Sequence, residues 1–372
     1  MSAPSWDEDW LRREVWPRFS RVLKREEVYL ANHSLGRPPD RAAEHVRAAI
    51  DAWYRDMDGA WKLWLDGRER FRSLTAQLVG ARRKDCIIPK TSAGQGLRAV
   101  LNSFTTRPRV ATTDGEFDSI DFILRVYRQQ GRIALKVMPW RELSAAGADL
   151  LVLSSVMFRN GEAVRQLPRV IHDAHAAGAL VLLDVYHQAG VMPLDLAELN
   201  ADFAVGGSYK YTRGGPGACW LYVRPGLVES LRTPDTGWFA KHDPFGYRRP
   251  EPPEFGPGGD AWLESTPPVL APFQALAGLE LTLELGVERI RAHSLAQKQF
   301  LLERLPMCEG AGRDYGAFVT IRRPNAVRIA EELAGKGIKV DARGEYLRLC
   351  PDYLNSREEL ERAALETLRA IR

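Results

Sequence analysis

The chain has 372 residues, enough for two or three domains and a sizeable core. Hydrophobic residues at 45% and charged residues at 27% exclude a disordered, collagenous or disulfide-stapled class. With 52 basic against 48 acidic residues the net charge is only +4, so composition gives no support to nucleic-acid or anionic-membrane binding. Apolar runs such as 148–152 and 179–183 fall short of the roughly 18 residues that a spanning helix needs. The opening segment is acidic at Asp7, Glu8 and Asp9, where a secretory signal would be basic and then apolar. Cys86, Cys219, Cys308 and Cys350 are scattered and lack metal-ligand spacing. The expectation is a cytoplasmic protein with reduced thiols and no metal site.

In chain order, helical spacing of apolar and charged residues over 10–30 predicts a helix, which the Gly- and Pro-containing segment 32–39 ends. Asp40 is expected to cap a second helix that packs through Ala43, Val46, Ile50, Trp53 and Tyr54. Trp53, Trp61 and Trp64 read as core or interface anchors, with no chemistry assigned. Between 85 and 223, short β-rich runs at 86–88, 110–112, 133–137, 150–153, 180–183, 203–206 and 219–223 alternate with helical stretches. That alternation predicts right-handed βαβ units, a largely parallel sheet, and ligands bound beyond the carboxyl ends of its strands. The stretch 224–268 is rich in Pro, Gly and aromatics and reads as functional or interfacial. Helices and a short strand-and-helix module follow to Arg372. These boundaries divide the chain into a large α/β domain over 46–262 and, from 1–45 with 263–372, an N-terminal segment and a small α+β domain.

The strongest chemical signal is Asp184 at the end of one predicted strand and Lys210 just after the next. Pyridoxal phosphate needs a lysine amine to bond its aldehyde carbon, and a carboxylate to keep its pyridine nitrogen protonated so that the ring accepts electrons. Spacing alone favours a buried helix-capping aspartate and a solvated lysine, and the surrounding residues change that balance.

The surrounding residues, Asp184-x-x-His187 and Ser208-Tyr209-Lys210-Tyr211 with a Gly-rich turn at Gly214–Gly217, resemble the kynureninases, a class V group of fold-type-I pyridoxal-phosphate enzymes. The resemblance runs from about Tyr29 to the C-terminus. It implies the fold-type-I α/β transferase fold, with a mainly parallel central sheet in the large domain and a smaller α+β domain. It implies pyridoxal 5'-phosphate bound to Lys210, with Asp184 at the ring nitrogen, His187 supporting the ring, and Ser208 and Tyr209 near the phosphate or assisting proton transfer. Lys210, Tyr209 and Asp184 form its catalytic set. Ser92 and the amide of Ala93, in a strand-to-helix turn, are the expected phosphate contacts. Phe117 is expected to stack on the ring; Ile120 stands where the family has an acidic residue, with Asp121 one position later.

Thr236-Gly237-Trp238-Phe239 and the turn at Thr266 resemble the family's segments that cross into a partner's site, which implies a homodimer with shared active sites. Arg348, before Pro351, resembles the arginine that clamps the substrate α-carboxylate. Asn32 and Ser34 resemble the Asn-Ser-Leu-Gly turn beside the substrate, here with His33 inserted. The reaction implied is hydrolysis of the Cβ–Cγ bond of kynurenine, 3-hydroxykynurenine or a related γ-oxo amino acid to alanine and a carboxylic acid. The rival is another class V aminotransferase, epimerase or β-lyase. Desulfuration is the weakest of these, since 340–345 holds no cysteine before Arg348. A dinucleotide binder is disfavoured because no G-x-G-x-x-G follows a strand.

Overall fold

The computed structural model describes residues 5–372. Its seven-stranded sheet runs in the order Ile87–Lys90, Cys219–Val223, Phe203–Gly207, Leu180–Asp184, Leu150–Ser154, Arg109–Thr113 and Ala134–Met138. All pairings are parallel except the two that Cys219–Val223 makes. The expected strands all lie in this sheet, with small shifts at their ends; Cys86 is in a 3₁₀ turn and the strand beside it continues to Lys90. Strands such as Leu150–Ser154 are buried along their whole length, as continuous apolar runs covered on both faces must be. The helices Ala93–Asn102, Asp118–Gln129 and Leu167–Ala176 follow individual strands and serve as crossovers. No helix separates Phe203–Gly207 from Cys219–Val223, so the chain can return only antiparallel. That return loop carries Lys210.

A three-stranded antiparallel sheet, ordered Asp341–Arg343, Tyr346–Leu349, Val319–Arg322, forms the second unit with the helices Ala326–Gly335 and Arg357–Ala370. Val28–Tyr29 pairs in parallel with Ile338–Lys339, and Leu30 shares a buried cluster with Leu301, Val319 and Leu347. The N-terminal segment is thereby tied to the C-terminal unit. The helix Leu270–Leu285 instead contributes Phe273, Leu276 and Leu279 to the large core, and bends by 82° into Val287–Arg304. Gly286 makes that corner at φ +79°, where a side chain would be strained. We therefore propose that the boundary expected at 262 lies at Gly286.

Three local expectations are corrected. Residues 10–30 are not one helix: Glu8–Glu14 is followed by 3₁₀ turns at Trp16–Phe19 and Val22–Lys24, because Pro17 has no amide to continue the ladder. Asp40 does not cap Arg41–Asp56; its carboxylate accepts from Ser20 Oγ at 2.6 Å and the Arg21 amide at 3.1 Å. That helix buries Ala42, Ala49 and Ala52 and packs against Leu270–Leu285, while Trp53 and Tyr54 remain 54% and 85% exposed. Trp61 and Trp64 pack on the large core. The four cysteines are buried and unpaired. Among the described residues, no single helix is long and apolar enough to cross a membrane.

Candidate active site

Asp184 ends one parallel strand and pairs with Val205 in the next, so the loop after Gly207 returns Lys210 to the same edge of the sheet. Lys210 is 6% exposed, and its amine lies 2.7 Å from His187 Nε2. Burial lowers Lys210 to about 7, against the opposing pull of Asp184. Burial and the lysine charge also drive His187 well below its ordinary value, leaving a neutral ring beside the amine. Asp184 accepts the Tyr186 amide at 3.0 Å, and burial raises its carboxyl. In cofactor-free protein the amine is protonated below about pH 7 and nucleophilic above it. Labelling of Lys210 by acetic anhydride should therefore rise with a midpoint near pH 7; a midpoint near 10.5 would contradict this environment.

The cavity at this edge holds about 310 Å³ and is lined by Ser92, Ala93, Phe117, Asp184, His187, Tyr209 and Lys210, among others. Ser92 caps the helix Ala93–Asn102 by accepting from the Gln95 amide at 3.1 Å, and the helix start faces the cavity with its free amides. Phe117 forms a wall, its ring centroid 5.7 Å from Lys210 Nζ and 5.4 Å from the Phe158 ring. An amine, a carboxylate, aromatic walls and an anion-binding helix start thus converge, and they fit pyridoxal 5'-phosphate. Two polar atoms beside them, Ser208 Oγ and His187 Nδ1, are buried with no hydrogen-bond partner among the described residues. Ser208 itself lies behind the lining.

The turn at 32–36 buttresses this loop. The Gly36 amide donates to Tyr209 O at 2.8 Å, and a Cβ on Gly36 would sit 2.0 Å from Lys210 O. Gly36→Ala should displace the lysine loop, with a cost of about 1–3 kcal/mol and a drop in cofactor retention measured by absorbance. Retention and melting temperature equal to wild type would show that the turn yields instead.

The remaining expected residues lie in two adjoining places. Asn32 gives its Nδ2 to Cys350 O at 3.0 Å, Ser34 Oγ donates to Asp341, and Arg348 is paired with that same Asp341. None of the three lines the lysine cavity, although Phe158, whose carbonyl accepts from Arg348 Nη1 at 2.5 Å, does. His33 is fully buried, its ring 4.7 Å from Phe318 and 6.5 Å from His187. Trp238 Nε1 donates to Thr266 Oγ1 at 3.1 Å, and Thr266 lines a neighbouring apolar groove that shares Thr91, Gly217 and Cys219 with the cavity.

Neither residue weighed for the family's acidic position enters the cavity: Ile120 is core, and Asp121 pairs outward with Arg125 at 2.7 Å. A buried carboxyl that sequence reading missed is Glu116, held at 2.6 Å by both Thr113 Oγ1 and Ser154 Oγ. Burial raises it to about 7. Its position next to Phe117 was the one available signal. Asp341 was missed too, since nothing in 340–345 distinguishes it from a solvated turn residue.

The family model for class-V aminotransferases matches residues 54–342. Kynureninase from Pseudomonas fluorescens is 26% identical over 85% of this chain and 82% of its own length. The uncharacterized aminotransferase YcbU of Bacillus subtilis is 27% identical over 86% and 89% respectively. Among solved structures, a mutant of C-DES with glycine covalently linked to its PLP cofactor superposes with a TM-score of 0.84 at 18% identity, over 94% of this chain and 98% of that one. That likeness speaks for the fold, a fold-type-I α/β architecture.

Proposed function

We propose, from the premise that this chain belongs to the class-V aminotransferase family of pyridoxal 5'-phosphate enzymes, that it is a kynureninase-like hydrolase of kynurenine, 3-hydroxykynurenine or a related γ-oxo amino acid. The observation that carries the reading is the meeting of Lys210, Asp184 and His187 at one cavity, in a chain whose similarity to kynureninases spans most of both lengths. When bound, the cofactor supplies an aldehyde carbon and an electron-accepting ring. Lys210 Nζ would hold that carbon and, once released, move the substrate α-proton, with His187 Nε2 orienting the amine. Asp184 would keep a proton on the ring nitrogen. Phe117 would cover the ring, and Ser92, the Ala93 amide and Ser208 would serve the phosphate, with Tyr209 nearby.

In the net reaction, water adds to the side-chain γ-carbonyl and the Cβ–Cγ bond breaks. The water oxygen leaves with Cγ as a carboxylic acid, and Cβ takes a proton to give alanine. Incubating holoenzyme with kynurenine and with 3-hydroxykynurenine should yield alanine and the matching anthranilate in equal amounts. A keto acid formed without anthranilate would favour the second reading, an aminotransferase, epimerase or β-lyase acting on another amino acid. One observation supports that second reading: the similarity to the uncharacterized aminotransferase YcbU is as extensive as that to the kynureninases. Desulfuration by a protein thiol finds no support, since burial pushes Cys350 up to about 12 and raises Cys219 as well.

The reading includes a homodimer completed across its interface by Trp238 and Thr266. The exposed apolar side chains of Trp53, Tyr54, Met57 and Phe245 support a covered surface of this kind. Mixed dimers of Lys210→Ala and Trp238→Ala subunits should recover up to about a quarter to a half of wild-type activity, from the one intact site that each mixed dimer assembles. Formation of mixed dimers without recovery, with Trp238→Ala itself impaired, would place each site within one chain.

A further inference from the structure

Arg348 sits on the central strand of the small sheet, directly opposite Asp341 on the edge strand. Its fork is unevenly used. Nη1 donates to Phe158 O at 2.5 Å, Nη2 meets Asp341 Oδ2, and Nε is buried without a partner among the described residues. A buried guanidinium N–H without an acceptor is costly, and a planar carboxylate bridging Nε and Nη2 would satisfy it. Asp341 cannot do so while Oδ2 also accepts from Ser34 Oγ and lies 3.5 Å from His33 Nε2. Its Oδ1 lies 3.2 Å from Arg343 Nη1, and the Arg343 side chain is 49% exposed at the mouth of the cluster.

We propose that Asp341 is an internal competitor for Arg348: a ligand carboxylate reaches the guanidinium by displacing Asp341, which passes to Arg343. The inference rests on the reading that Arg348 receives the substrate carboxylate. The geometry favours a handover. Asp341 belongs to an edge strand with one ladder partner, whereas Arg348 is fixed between two strands. The second cation already touches the carboxylate, so the displaced charge keeps a partner. Asp341 therefore sets how strongly a carboxylate-bearing ligand is preferred over a neutral one.

The test compares two reagents that attack the bound cofactor in holoenzyme, aminooxyacetate with a carboxylate and methoxyamine without, each followed by cofactor absorbance. Asp341→Asn should raise the rate constant for aminooxyacetate about tenfold, the scale of one charge-assisted contact, and leave methoxyamine within about twofold. Arg343→Gln removes the recipient and should lower the ratio of the two rate constants by about threefold. This variant, with an exposed side chain, decides the question if Asp341→Asn does not fold. A ratio unchanged or lowered in Asp341→Asn, or unchanged in Arg343→Gln, overturns the handover alone. A wild-type absorbance that neither reagent alters overturns the cofactor reading, and this inference with it.

Discussion

Lys210→Ala protein should emerge from purification without the yellow of bound cofactor and with turnover reduced by roughly 10⁴-fold or more, the scale on which loss of a covalent catalytic group is felt. Lys210 is the lysine in the return loop at the carboxyl edge of the sheet, and its amine lies 2.7 Å from His187 Nε2 and within 6 Å of the rings of Phe117, Tyr186 and Tyr209. The other buried lysines are committed elsewhere. Lys90 binds Trp262 O and Glu264, and Lys298 binds Gly310 O and Gly316 O. Borohydride reduction of wild-type holoenzyme followed by peptide mapping should place the cofactor on Lys210. A Lys210→Ala protein that still carries a reducible cofactor bond at another lysine would reject the assignment.

Asp184→Asn should retain much of the cofactor but lose turnover by roughly 10²–10³-fold, because an amide cannot hold a proton on the ring nitrogen and the ring then accepts electrons poorly. Asp184 is buried, anchored by the Tyr186 amide, and held against a burial penalty by the Lys210 charge. A cationic ring nitrogen would stabilise the ionised form in the same way. Binding and chemistry should separate: cofactor titration near normal, turnover nearly gone. Turnover within twofold of wild type would locate the nitrogen's partner elsewhere.

The strands that build this edge were legible because they are buried on both faces and written as short apolar runs, with Asp184 and Lys210 following at a readable spacing. The helix periphery was less so. Trp53 and Tyr54 look like a packing face in a 3.6-residue pattern, yet the residues that this helix buries are Ala42, Ala49 and Ala52. The site's internal partners were the hardest to read. Glu116 depends on Ser154, 38 residues away, and Arg348 depends on the carbonyl of Phe158, 190 residues away. Such contacts leave no periodicity. The Asn32–Gly36 turn could be placed beside the site by resemblance, but that its Ser34 is spent on Asp341 follows only from the fold.

The central claim is that the side-chain carbonyl is cleaved hydrolytically at the Lys210 cavity. Mass spectrometry of products formed from kynurenine in ¹⁸O-labelled water tests it most directly. Anthranilate should carry one solvent oxygen in its carboxylate, matched one-to-one by alanine carrying no solvent oxygen, and Lys210→Ala should form neither product. A keto acid in place of alanine, with no labelled anthranilate, would contradict it.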